Sequence, residues 1–364
     1  MKKNRYLYLD LLKVIAIAFV CMYHFRHGPQ DLQGVAGMLR KYVYSILSTC
    51  VPLFFAVNGA LLLNSGSFCV RKHFKKLLML LLQYFAWHGI TAVVLGIAAG
   101  VDVTAMSFSQ LINVFLFLGT PEGVDLNHFW FVPTLCGIYL LYPFLKILFE
   151  QEQQNQNVKT VLIGLGFAVY FLRFFIHDFS VFRTIFPVLM YLDLEPYQLF
   201  DPFGVRVGTM LLYFLIGGFL HRYQQKTRKI PAPVSVLMVL AGLLISYGMV
   251  IVKGWMGESH FDIVFGGYGT TGTLLCTAGL FLLASGMEEK LPETGIFRLI
   301  VQKISSNTMT IYYSHWILGS VVLPMLPIGY GWFWNLLKTV LFVACGTLLG
   351  EGMKKIPVLK YLAH

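Results

Sequence analysis

The sequence predicts an all-α integral membrane protein, a bundle of about ten transmembrane helices, and three observations carry that expectation. The 364 residues are 57% hydrophobic and only 12% charged, with a mean hydropathy of +0.69, whereas soluble domains run near a quarter charged. The apolar residues fall into runs long enough to cross about 30 Å of hydrocarbon, which takes about 20 residues of helix. Lysine and arginine are divided unequally among the gaps between those runs. Short connections join the runs, and no repeat or low-complexity segment interrupts them, so residues 1–364 are expected to form a single transmembrane domain.

Taken in order, the candidate spans are 7–25, 43–63, 75–98, 128–149, 159–176, 206–221, 234–252, 268–286, 308–325 and 332–350. The first follows Lys2, Lys3 and Arg5 and imitates a signal peptide. Asp10 and Lys13 interrupt it, however, and no small-x-small cleavage site follows, so a retained first helix is expected. The sixth is short and carries Gly208, Gly217 and Gly218. Residues 108–118 are apolar but too few to cross, and are expected at the interface or dipping into the bundle.

Orientation follows from charge. Counting residues near a span end with the adjoining connection, nineteen of the 28 Lys and Arg fall on one side and seven on the other, with Lys13 and Lys338 well inside spans. Ten spans with both termini in the cytoplasm of a cell-membrane protein satisfy that asymmetry. It also accounts for the formal net charge of +11 without a nucleic-acid partner, for which no basic module is present. Of the outward connections, 177–205 is the longest and holds His177, Asp178, Arg183, Tyr191, Asp193, Glu195, Tyr197 and Asp201, while 99–127 carries Asp102, Glu122 and Asp125. Either could recognise a polar acceptor or simply be solvated surface. The six cysteines are scattered without a C-x-x-C pair, and read as small buried hydrophobes. No metal is expected, since His24 and His27 lack a third ligand at useful spacing.

The first span holds the residues that are hardest to explain by membrane packing alone. At about 100° per residue, Asp10, Lys13 and His24 fall within one stripe about 60° wide, with Tyr6 and Cys21 alongside. Charge near the bilayer centre costs several kcal/mol unless it faces protein or water, so the stripe should face the interior. Asp10 and Lys13 can pair across one turn. Three readings remain open from residue type: an interfacial Asp10 with a snorkelling Lys13, a structural His24, or a His24 acting as general base. Lys13 lies about 16 Å down the axis from His24, too far for direct contact.

The run Tyr8-Leu9-Asp10-Leu11-Leu12-Lys13, then ten residues, then His24, resembles the first helix of acyltransferase family 3, the bacterial integral-membrane acyltransferases; Lys13 stands where many members have Arg. Residues 51–63, Val-Pro-Leu-Phe-Phe-Ala-Val-Asn-Gly-Ala-Leu-Leu-Leu, are similar to the second-helix motif, with Asn58 in place of a usual Ser. Arg71, Lys72, Lys75 and Lys76 are similar to the basic segment on the acyl-donor side, although they depart from its Arg-x-x-Arg form. His128-Phe129-Trp130-Phe131-Val132-Pro133, followed by Tyr139 and Pro143, resembles the fourth-helix motif of the surface-polysaccharide O-acyltransferase branch. Ser305-Ser306-Asn307-Thr308, then Ile311-Tyr312 and His315-Trp316, resembles the ninth-helix pattern.

The resemblance implies transfer of an acyl group, acetyl above all, from cytoplasmic acyl-coenzyme A to a hydroxyl of a cell-envelope glycan or related acceptor. It assigns His24, Lys13, Asp10 and His128 to catalysis. Arg71, Lys72, Lys75 and Lys76 would hold the coenzyme A phosphates, and Trp130, His315, Tyr312 and Asn58 would line the substrate site. No permanently bound cofactor is implied. The partners are the bilayer, acyl-coenzyme A and the acceptor. A transporter or flippase of a lipid-linked glycan or small solute is the competing class, since intramembrane charges serve that purpose too.

Overall fold

The computed structural model describes residues 5–24, 39, 41–66, 68–186, 188–257, 266–329 and 331–363. It is helical, with no strand among the described residues. Nine described helical stretches are long and apolar enough to cross a membrane, and the protein is an all-α, multi-pass membrane protein. The tenth expected span, 308–325, is also one unbroken helical run. It falls short of the apolarity of the other nine because Tyr312, Tyr313, Ser314 and His315 sit within it.

By contacts the chain divides into two compact units, one of Met1–Ala16, Pro29–Phe68 and Gly137–Glu293, the other of Ile17–Gly28, Cys69–Cys136 and Thr294–His364. Helix α1, Leu7–His24, starts in the first unit and ends in the second.

The first unit holds α2 (Cys50–Leu63), most of α5 (Phe131–Gln151), α6 (Gln156–Tyr170), α7 (Ile176–Phe182), α8 (Gly204–Arg222), α9 (Ala232–Trp255) and α10 (Thr271–Met287). The first backbone N–H groups of α1 have no partner of their own within the helix. The Glu288 carboxylate supplies one, accepting from Leu7 N at 3.0 Å and Tyr8 N at 2.7 Å. Negative charge at a helix start also complements the helix dipole. Helix α2 is buried almost all round, as a sequence apolar but for Asn58 requires. It meets α8 backbone to backbone: a Cβ on Gly59 would overlap the Phe214 carbonyl, and one on Gly217 the Ala56 carbonyl.

Two polar features of this unit differ from the sequence expectation. The helical run expected to stop at 176 continues from Gln156 to Ile185 through a π-helical turn, Phe171–Phe175. Arg173, His177, Asp178 and Arg183 therefore lie in the run and not all in a loop. The reason is local satisfaction: Arg173 is ion-paired to Asp201, both side chains nearly excluded from solvent, and Asp178 Oδ2 accepts the first N–H of α10 from Thr271 at 2.8 Å. Lys146, counted among loop cations, sits buried inside α5. Its Nζ donates to the Leu63 and Ser65 carbonyls at 2.9 and 2.6 Å, closing the C-terminal end of α2, and reaches Glu150 at 3.1 Å.

The second unit is built on α3 (Val70–Ala98), α4 (Phe108–Leu116), α11 (Ile296–Ser306), α12 (Thr308–Ile317) and α13 (Trp332–Met353). Helix α4 has nine residues, too few to cross, opens with a Ser107–Gln110 capping box and buries only Val114. After α12 the chain continues as a π turn, Leu318–Val322, and a 3-10 turn, Leu323–Met325. Beyond α13, a 3-10 turn at Leu359–Leu362 returns to α3.

Candidate active site

Three histidines far apart in sequence meet in the second unit. His24 ends α1, His128 lies in the 3-10 turn Asn127–Trp130 that leads into α5, and His315 is near the end of α12. The ring centroids of His24 and His315 are 5.0 Å apart, and those of His128 and His315 are 5.5 Å apart. Trp316 completes the group, edge-on to His24 at 5.0 Å and stacked on His128 at 4.7 Å. Its indole N–H donates to the Asp125 carbonyl at 3.0 Å, which ties the approach to α5 down to α12.

Hydrogen bonds around His128 and His315 constrain what those two rings can do. Tyr312 donates its hydroxyl to the His128 carbonyl oxygen at 2.6 Å, so the backbone of the turn is held from α12. His315 Nδ1 is hydrogen-bonded to the Tyr312 carbonyl. A carbonyl only accepts, so that nitrogen carries the hydrogen and Nε2 keeps the lone pair in the neutral ring. His128 is 7% exposed, and neither of its ring nitrogens has a hydrogen-bond partner among the described residues. Buried polar atoms are paired in the great majority of cases, and an exception calls for an explanation. Aromatic rings surround the trio: Phe129 lies 4.3 Å from His128, and Tyr312 lies 5.7 Å from His315.

The other expected site residues are placed as follows. Trp130 is half-buried at the end of the same turn as His128. Arg71, Lys72, Lys75 and Lys76 are exposed on the first two turns of α3, which has no acidic residue in its first turn. Four cations there oppose the helix dipole and gain from an anionic partner. Lys13, Asp10 and Asn58 belong to the first unit. Lys13 is half-buried. Asp10 is buried and accepts from Arg5 Nε at 2.6 Å, a partner the i, i+3 reasoning overlooked. Asn58 donates to the Phe54 carbonyl at 2.9 Å and accepts from the Tyr139 hydroxyl at 3.2 Å. His27 lies outside the described residues. Among the described residues no group of three or more His, Cys, Asp or Glu is placed to hold a metal ion.

Sequence reasoning missed His88. Its Nδ1 is 3.2 Å from the Val114 carbonyl and its ring 5.5 Å from Phe129. A histidine inside an otherwise apolar span was the available signal.

The sequence model of a family described as an acyltransferase domain matches residues 6–351. The chain belongs to acyltransferase family 3. No protein of curated function and no solved structure gives a significant match. Membership makes the protein a membrane acyltransferase, and the histidine cluster lies within the matched region of this family 3 chain.

Proposed function

We propose that the protein moves an acetyl group from cytoplasmic acyl-coenzyme A to a hydroxyl of a cell-envelope glycan or related acceptor, with His24 as general base. The observation that carries this reading is the convergence of a half-buried His24 with the buried His128 and His315 in one aromatic-walled cluster. Acyl transfer needs a base for the acceptor proton and donors for the developing oxyanion. His24 takes the acceptor O–H proton as the oxygen attacks the thioester carbonyl. The tetrahedral oxyanion then collapses, the C–S bond breaks, and the leaving thiolate recovers the proton from the imidazolium. His128, whose ring nitrogens have no partner among the described residues, can present an N–H to the oxyanion. His315, locked with Nδ1–H on the Tyr312 carbonyl, presents Nε2 as an acceptor within the cluster.

Arg71, Lys72, Lys75 and Lys76 would bind the coenzyme A phosphates, and Lys13 and Asp10 would hold charge along α1. Trp130, Tyr312 and Asn58 keep their assignment to substrate. Both termini on the cytoplasmic face of the cell membrane put the basic start of α3 on the donor side. Purified protein supplied with labelled acetyl-coenzyme A and candidate glycans provides the test. Acceptor-dependent loss of thioester that vanishes in His24→Ala is expected. Movement of acceptor across a vesicle membrane without thioester consumption, unaffected by His24→Ala, would establish a transporter instead.

A further inference from the structure

Two side chains deep in α3 hold something unusual. Gln83 and Trp87 are 4% and 5% exposed, four residues and so about 6 Å apart on one face of the helix. Gln83 Nε2 donates to the Tyr361 carbonyl at 2.7 Å, and Trp87 Nε1 donates to the Leu362 carbonyl at 3.0 Å. The segment they hold is otherwise loosely kept: Val358 is 74% and Tyr361 54% exposed, and only Ala363 at its end is fully buried. Both bonds recognise backbone, not side chains. Any chain offering two amide carbonyls at a similar spacing meets the same donors.

The pantetheine arm of coenzyme A is such a chain. Its two amides are joined through β-alanine, so their carbonyls are one methylene further apart than consecutive peptide carbonyls. The order along α3 also fits. From the exposed cations at Arg71 to Lys76 it is about 10 Å along the axis to Gln83 and about 6 Å more to Trp87. Past Trp87 the aromatic wall begins. Trp87 stacks on Tyr313 at 5.6 Å and 6°, and Tyr313 lies 5.4 Å from Tyr312 and 6.0 Å from Phe129, the neighbours of His315 and His128.

We propose that Gln83 and Trp87 form the subsite for the pantetheine amides of the donor, and that the Leu359–Leu362 turn occupies it as a displaceable surrogate. The inference rests on the acyl-coenzyme A reading above. Release of the turn would leave two buried donors unpaired, which is unfavourable. Arrival of the pantetheine carbonyls restores both bonds, so the exchange is close to balanced and donor concentration can drive it.

The full-length protein with Cys69→Ser and Cys345→Ser, which removes its exposed thiols, can carry a spin label at Tyr361→Cys. Coenzyme A is expected to mobilise the label, and adenosine 3′,5′-bisphosphate, which lacks the arm, is not. In the wild-type background Gln83→Leu weakens the docked turn and the docked arm alike, so KM for acetyl-coenzyme A should change little; combined with Ala363→Asp, where the turn no longer competes, it should raise that KM about five- to tenfold, the value of one lost hydrogen bond. Ala363→Asp, which expels the turn without touching the donors, should lower that KM and keeps the question open to measurement should Gln83→Leu fail to fold. A label that stays immobile in protein turning over acetyl-coenzyme A, or that moves with the bisphosphate alone, overturns the subsite and leaves the functional reading standing. Wild-type protein that neither consumes acetyl-coenzyme A nor binds coenzyme A overturns the functional reading first.

Discussion

In the first unit His221 lies 2.5 Å from the Tyr8 hydroxyl through Nδ1, with the Tyr6 ring edge-on at 4.8 Å. In the second, His128 is equally buried, packed against Trp316 and Phe129, yet neither nitrogen has a protein partner among the described residues. Burial is the same and chemistry is not. A histidine whose hydrogen bond is closed within the bundle joins helices; one left open is held ready for a group that arrives later. The Arg173–Asp201 pair of the first unit is likewise closed within the protein.

The largest effect that could break this comparison is His24→Ala. It should lower acyl transfer about 10³-fold or more, the range for a lost general base, with little change in thermal unfolding; retained turnover would remove the histidine cluster from the chemistry. Next comes Asp201→Ala. Leaving the Arg173 guanidinium buried and alone should cost about 3–4 kcal/mol of stability, read by denaturation in detergent, while turnover per folded molecule is unchanged. His128→Phe should lower turnover about 100-fold. Because it deletes two unpaired buried nitrogens and keeps the stack on Trp316, its stability should match or slightly exceed that of the wild type. The smallest effect is His221→Phe, which removes the His221 partner of the Tyr8 hydroxyl and should cost about 1 kcal/mol with turnover intact. If His221→Phe proves inactive and His128→Phe does not, the assignment of the two histidines is reversed.

Much of the fold was legible because lipid imposes length and apolarity on each crossing helix. The stretch 108–118 was correctly separated from the spans by length alone. Polarity misled where charge was paired inside. His177 and Asp178 read as the start of a loop, yet the helical run continues past them, with Arg173 paired to Asp201 and Asp178 satisfied by the α10 N-terminus. Lys146 read as a topology signal and is instead the carbonyl cap of α2. Conversely, 308–325 was recognised as a span although the residues of the site make it the most polar of the ten. Periodicity placed His24 on the inner stripe of α1. It could not say that His128 and His315 would lie beside it, because no local rule links residues so far apart in sequence. Only the order of motifs across the chain hinted at that convergence.

The contact of α2 with α8 through Gly59 and Gly217 has a mechanical consequence. Where main chains touch directly, no layer of side chains remains to change rotamer and let one helix slip past the other. These two helices must therefore travel as a single piece in any working cycle. A rocking motion of the transporter kind would need its sliding seam elsewhere, and a cross-link between α2 and α8 should leave turnover untouched.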